Sequence, residues 1–290
     1  MKTLVHRHLK LFLKSPANII LSFLSSLVII SLYFLFIRDF TIKAVSDYGF
    51  ISEFNELFVD KLMTSGLLIV IGATSVLSII FIFVKDEYSG TIKDFLVSGV
   101  SYIKIVYSYF ISSFIISTII TLTIYFGIEL FFIYYYDYYN TFNVIILSVF
   151  IVIISNVIAS LLILIIALFI NNFTSFSTFQ TLYGVVIGFF TGVYIPIGYY
   201  PLIIRNIFFY FPLTQATSLL RNIQTKEITN NILSNYPKDV HNILYQTFGV
   251  HLSFNENVIY FNEQLYMIII VIILLNLILI FLLEIRRYKR

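Results

Sequence analysis

Leu62 to Val84 read LMTSGLLIVIGATSVLSIIFIFV, a run of 23 residues without a charge. A helix rises 1.5 Å per residue, so crossing a hydrocarbon core of about 30 Å takes about 20 apolar residues. The run is therefore predicted to span a membrane. Working outward from it, comparable stretches lie near 17–37, 105–136, 143–170, 178–195 and 265–283, which makes six. The whole chain agrees: of its 290 residues 59% are apolar and only 11% charged, against roughly 25% charged in a soluble domain.

Orientation follows from lysine and arginine, which collect in short cytoplasmic loops. The segment before the first span carries Lys2, Arg7, Lys10 and Lys14 with no acid, and the last seven residues carry Arg286, Arg287, Lys289 and Arg290. The loop at 38–61 has three basic and five acidic residues, and 137–142 has only Asp137. Both ends are expected inside, which requires an even number of spans. Residues 202–220 would make a seventh, but Arg205 and Pro212 interrupt them. The first span opens on Ser15-Pro16, a hydroxyl cap with proline in the first turn. Its apolar core is too long for a signal peptide, and no small-residue cleavage site follows. The expected fold is an all-α polytopic membrane protein in one domain over 1–290, with six transmembrane helices and cytoplasmic termini.

Between the fifth and sixth spans the pattern breaks. Gly192, Pro196, Gly198, Pro201 and Pro212 prevent one straight helix. The apolar pieces left are about ten residues each, the length of an interfacial or re-entrant segment. Two readings stay open: a loop on the outer surface, or a re-entrant helical hairpin in the outer leaflet, where broken backbone needs protein or a wet cavity around it. After Arg221, residues 222–264 read as a small polar outer cap. Val240, Ile243, Leu244 and Phe248 share a helical face there, Gly249 suits its C-cap, and a short hairpin would turn at Asn255-Glu256-Asn257.

Two inner segments stand out. Residues 1–16 place Lys2, His6, Lys10 and Lys14 at intervals of four, with Leu4, Val5, Leu9, Phe12 and Leu13 mostly opposite; this predicts a basic amphipathic helix on the inner membrane surface. His6 and His8 read as interfacial side chains, since two residues apart they face different ways. In the loop at 85–104, Lys85-Asp86-Glu87 leads to Thr91-Ile92-Lys93-Asp94, a start like a capping box. Ile92, Phe95 and Leu96 share a face, Gly99 ends the turn, and Ser101 caps the third span. Either this is a polar connector, or it is a docking element for a cytoplasmic partner.

Chemistry is sparse. The chain has no cysteine, so disulfides and thiolate sites are excluded. It has no Gly-x-x-x-x-Gly-Lys-Ser/Thr loop to cradle ATP and no His-Glu-x-x-His. No catalytic, metal or nucleic-acid site is expected; His241 and His251 lie in the outer cap without an obvious partner. Glu129 is the one acid placed within a span, an interfacial carboxylate or a pathway contact. Tyr125, Asn156 and Gln180 offer polar groups in the interior. An ion-coupled carrier or channel would want a charged stripe along a span, and an intramembrane enzyme a clustered acid and base; neither pattern is present.

In the order of these pieces the chain resembles the permease subunit of a type-2 ABC exporter. The basic start, the six spans, Asp86-Glu87 to Phe95, and Gly192–Pro201 followed by Phe211-Pro212 and Leu219-Leu220-Arg221 carry the resemblance. It implies a coupling helix that docks on a separate cytoplasmic ATPase through Asp86, Glu87, Thr91, Ile92, Asp94, Phe95 and Leu96. It implies a re-entrant and extracytoplasmic region over 192–264, with a gate built on Gly192, Pro196, Gly198, Pro201, Pro212 and Arg221, and Glu129 and Gln180 as possible pathway contacts. It also implies ATP and Mg held by that partner alone, and a second permease subunit, identical or not. The cargo would be a hydrophobic or amphipathic peptide, drug or lipid leaving a cell, with the chain in a plasma membrane of bacterial type. The outer segment is larger than the family's pattern.

Overall fold

The computed structural model describes residues 1–46, 52–170, 172–233, 238–255 and 257–288. Glu256, Lys289 and Arg290 lie outside the described residues, as do the side chains of Val240, His241 and Arg287. The chain is almost wholly helical. It opens with α1 (Lys2–Leu13) and α2 (Pro16–Leu32), continues through a π-helical turn (Tyr33–Ile37), and enters α3 (Arg38–Ser46). Then come α4 (Ser52–Ser75), α5 (Leu77–Tyr88), the short α6 (Thr91–Val97), α7 (Tyr102–Tyr136), α8 (Phe142–Phe169) and α9 (Phe173–Phe190). A 3₁₀ turn (Ile197–Tyr199) precedes α10 (Leu202–Tyr210), α11 (Pro212–Leu233), α12 (Lys238–Thr247) and a two-stranded hairpin, β1 (Leu252–Phe254) and β2 (Asn257–Ile259). Helix α13 (Phe261–Tyr288) closes the chain.

Among the described residues, four helical stretches are long and apolar enough to cross a membrane: Glu56–Tyr88, Tyr102–Tyr136, Phe142–Phe169 and Phe261–Arg286. The first is enclosed by the others, whereas the remaining three leave apolar side chains outside the bundle. Ile269, Ile273 and Leu277 form an exposed row on α13, and Ile146 and Phe150 do so on α8. Such rows at intervals of four belong against lipid and not water. Helix α2 has 17 residues and α9 has 18, the latter diluted by Gln180 and several hydroxyls.

Packing, more than capping, sets these helices. Ser15, Ser101 and Thr141 all stand at N-cap positions, yet none makes a side-chain cap bond. Helix α6 departs from the capping-box expectation: Gly90, at φ +82°, is its N-cap, and Thr91 bonds Ser89 at 2.9 Å instead. The run at 62–84 is also not one regular helix. It breaks between α4 and α5, where Gln180 Nε2 reaches the Leu77 carbonyl at 3.3 Å.

Helix α11 departs furthest from its sequence. Its hydropathy suggests a change to a polar cap after Arg221, but the helix runs through Arg221 without a break and packs on α4, α8 and α13. Gln215, Thr217, Ser218, Gln224, Thr225 and Thr229 are all buried along it. Threonine hydroxyls bond back to carbonyls one turn earlier, as Thr225 does to Arg221 and Thr229 to Thr225. This satisfies them within the helix, and burial then costs little.

The elements define two ends. The proximal end carries α1 and α6, where Arg7 meets Asp86. The distal end carries the starts of α4, α8 and α13 and the end of α7, where Tyr136 meets Asp60. The hairpin lies at the distal end with Leu252 opposite Ile259, close to the expected strands.

Candidate functional site

At the proximal end, α1 is clamped to the α5–α6 turn. Arg7 Nη1 donates to Asp86 Oδ2 at 2.7 Å, and the Tyr109 hydroxyl of α7 donates to the same oxygen at 2.6 Å. The Arg7 guanidinium also lies 5.1 Å from the Phe95 ring centre. Next to it, His8 is fully buried and stacks on Tyr109 with ring centres 3.8 Å apart. The sequence placed both histidines at the interface; His6 is exposed, but His8 is inside the protein. Burial, then the neighbouring Arg7 charge, lowers its pKa to about 4, so its imidazole is neutral at physiological pH.

Most residues that the resemblance assigned to docking turn inward. Asp86 and Ile92 are buried, and Phe95 and Leu96 are half-buried against the core. Glu87 and Thr91 are half-buried, and only Asp94 is exposed. The outward surface of this loop is Tyr88, Lys93, Asp94 and Val97, with Val97 89% exposed.

The distal end is organised round Asp60, Lys61 and Arg221, three charged side chains whose burial the sequence did not reveal. Asp60 is fully buried and accepts from the Tyr33 hydroxyl at 2.5 Å, the Tyr136 hydroxyl at 2.6 Å and Arg38 Nε at 3.0 Å. Arg38 also pairs with Glu56 at 2.7 Å. One residue on, Lys61 faces the other way. Its Nζ lies 3.5 Å from Glu129 Oε2, 3.1 Å from Gln224 Oε1 and 4.1 Å from the Phe132 ring centre. Asn140 Nδ2 donates to both Glu129 oxygens at 2.9 and 2.8 Å. Glu129, read as an interfacial or pathway acid, is thus held within a polar network shared by α4, α7 and α11. No sequence signal pairs it with Lys61, 68 residues away.

Arg221 is the third charge. It is fully buried; Nε donates to the Leu62 carbonyl at 3.2 Å and Nη2 to the Gly192 carbonyl at 3.1 Å, while Nη1 has no partner among the described residues. Gly66, Gly192 and Gly249 wall it in. It joins α4 to the turn after α9, where Gly192 adopts φ +64°, a left-handed conformation that side chains resist. Gly198 serves a different purpose from the bend expected of it: a Cβ there would fall on the Thr247 backbone, so glycine lets the 3₁₀ turn touch α12. Pro196 and Pro201 precede the 3₁₀ turn and α10, and Pro212 opens α11. Nearby, a cavity of about 600 Å³ is lined by Thr141, Asn143, Leu147, Lys226, Glu227 and Phe261 among others. Just before the hairpin, His251 pairs with Asn222 of α11 at 3.1 Å. Among the described residues no group of histidine and acidic side chains could hold a metal.

A bundle of apolar helices, an amphipathic helix locked to a loop helix at one end and a broken segment at the other define a membrane permease. Residues 1–225 match the family model described as ABC-2 type transporter, and the chain belongs to that family. Membership implies a membrane component that works with a partner ABC ATPase. Neither the curated proteins nor the solved structures contain a match.

Proposed function

We propose that the chain is the permease subunit of an ATP-driven exporter, with six spans, both termini in the cytoplasm and the proximal end facing the ATPase. Four spans are the long apolar helices. The other two are α9 and α2, the latter with its π-helical turn reaching about 33 Å at 1.5 Å per residue. On this reading Tyr88, Lys93, Asp94 and Val97 meet the ATPase, and two permease subunits and two ATPases make one transporter. The cargo is hydrophobic or amphipathic, because the exposed flanks of the spans are apolar and none carries a charged stripe.

The observation that carries the reading is the depth of the broken segment. Val193 and Thr217 lie against Gly66, which is about 9 Å along α4 from Asp60 at the distal end. Val193, at the start of the broken segment, thus lies deeper in the bundle than Asp60, which supports a re-entrant gate over a surface loop. Ile203, Ile207 and Tyr210 leave one apolar face of α10 exposed, suited to the outer leaflet.

Reconstitution tests this. The purified chain alone in liposomes should hydrolyse no ATP; co-assembled with its ABC ATPase, it should support hydrolysis and ATP-dependent movement of an amphipathic fluorescent cargo away from the ATPase side. Movement toward the ATPase, or transport driven by an ion gradient without ATP, would overturn the proposal.

A further inference from the structure

Between α1 and α7 lies a cavity of about 280 Å³, lined by Met1, Lys2, Val5, His6, Leu9 and Ile111. Its floor is apolar: Val5, Leu9 and Ile111. Its rim is basic: Lys2 and His6 stand one helical turn apart and both are exposed. No acid lines it. The floor continues along α7, since Ile115 and Ile119 follow Ile111 at intervals of four and Ile119 is 55% exposed. On the same stripe of α1, Lys10 and Lys14 are exposed but lie outside the cavity. The one cation of α1 facing the loop helix, Arg7, is already spent on Asp86.

From this arrangement we infer a binding site for one anionic phospholipid. The lipid phosphate sits between Lys2 and His6, and an acyl chain lies over Val5, Leu9 and Ile111 and along the α7 row toward Ile119. Charge chooses the occupant. A cavity with basic groups at its mouth, no acid and an apolar trough leading from it matches an anionic head joined to a hydrocarbon tail. A zwitterionic head would bring a cation to the same rim, where nothing accepts it. The site adds a lipid ligand to the proposed permease and places it in the leaflet on the α1 side, which rests on the proposed orientation.

Native mass spectrometry of the purified chain, equilibrated with equal phosphatidylglycerol and phosphatidylcholine, tests the site without any ATPase or cargo. Its failure is therefore separate from failure of the transport reading. Phosphatidylglycerol should be retained in preference by tenfold or more. The double variant Lys2→Gln, His6→Gln should lower that preference at least fivefold, on the order of one cation's effect at an anionic surface. The matched variant Lys10→Gln, Lys14→Gln should leave it within twofold. Ile111→Trp, filling the trough, should abolish the retained lipid while the protein stays monodisperse. Where Ile111→Trp aggregates, Ile111→Ala takes its place and should keep the preference while retaining a longer-chain lipid. Equal retention of both lipids, equal damage from the two charge pairs, an Ile111 variant without effect, or equal binding of soluble glycerol phosphate would overturn the inference.

Discussion

Arg7 and Asp86 meet across 79 residues of sequence at 2.7 Å, and Tyr109 closes the same carboxylate oxygen from a third helix. The amphipathic helix, the end of α5 and α7 therefore meet at one carboxylate, and the loop helix joins them through Phe95 against Arg7. If the loop helix meets an ATPase, α1 moves with it. Asp86→Asn and Arg7→Gln should each weaken this joint, and a double-mutant cycle on thermal stability should show coupling of about 1 kcal/mol, because the arginine is partly solvated. Transport-coupled ATPase activity should fall more than ATPase association, since Asp86 faces inward. Additive effects in the cycle would show that the contact carries no energy.

The neighbouring His8 makes this joint sensitive to acid. Its pKa in the folded state is about 4, below the ordinary value near 6.5. A released α1 would therefore bind a proton that the docked one refuses. Docking should be strongest and constant above pH 6.5, weaken as pH falls from 6.5 to about 4, and level off below that. Hydrogen exchange of residues 2–14 across this range should follow that course. His8→Phe keeps a ring against Tyr109 and should flatten it; an unchanged pH profile in that variant would place the sensitivity elsewhere.

Lys61 and Glu129 are buried together, so removing one should hurt more than removing both. Lys61→Met alone should destabilise by about 3–5 kcal/mol, leaving a buried carboxylate without its cation. Lys61→Met with Glu129→Gln should recover most of that. Transport by the double variant should persist without a proton requirement, as expected of an ATP-driven permease. Loss of transport in a stable double variant would favour a carrier that uses this pair.

Gly198 and Gly184 separate close contact from mere flexibility. A side chain at Gly198 would strike the Thr247 backbone, whereas Gly184 has open space. Gly198→Val should cost about 1–3 kcal/mol by overpacking and lift α12 off the broken segment, lowering transport. Gly184→Ala, inside α9, should leave transport unchanged and raise stability by up to about 1 kcal/mol. Thermal unfolding monitored on detergent-purified variants distinguishes them, and equal behaviour would remove the contact from consideration.

The order of the apolar stretches, the amphipathic α1 and the break at 192–212 were all readable along the chain. Each depends on local patterning: an unbroken apolar run against lipid, a period of four, or glycines and prolines that stop a helix. The approximate ends of α7, α8 and α13 followed for the same reason. The partnerships of the charges did not. Asp60 and Lys61 look like loop residues before the second span, Arg221 looks like the edge of a polar cap, and Asp86 looks like a docking acid. Only the packing of the turn after α2 with α4, α7 and α11 brings Tyr33, Tyr136, Glu129 and Gln224 to Asp60 and Lys61, and only the fold of α1 brings Arg7 to Asp86. Hydropathy scores a residue by its own cost of leaving water. What decides burial of a charge is whether donors and acceptors from distant segments converge on it, and that convergence is a property of the tertiary structure alone.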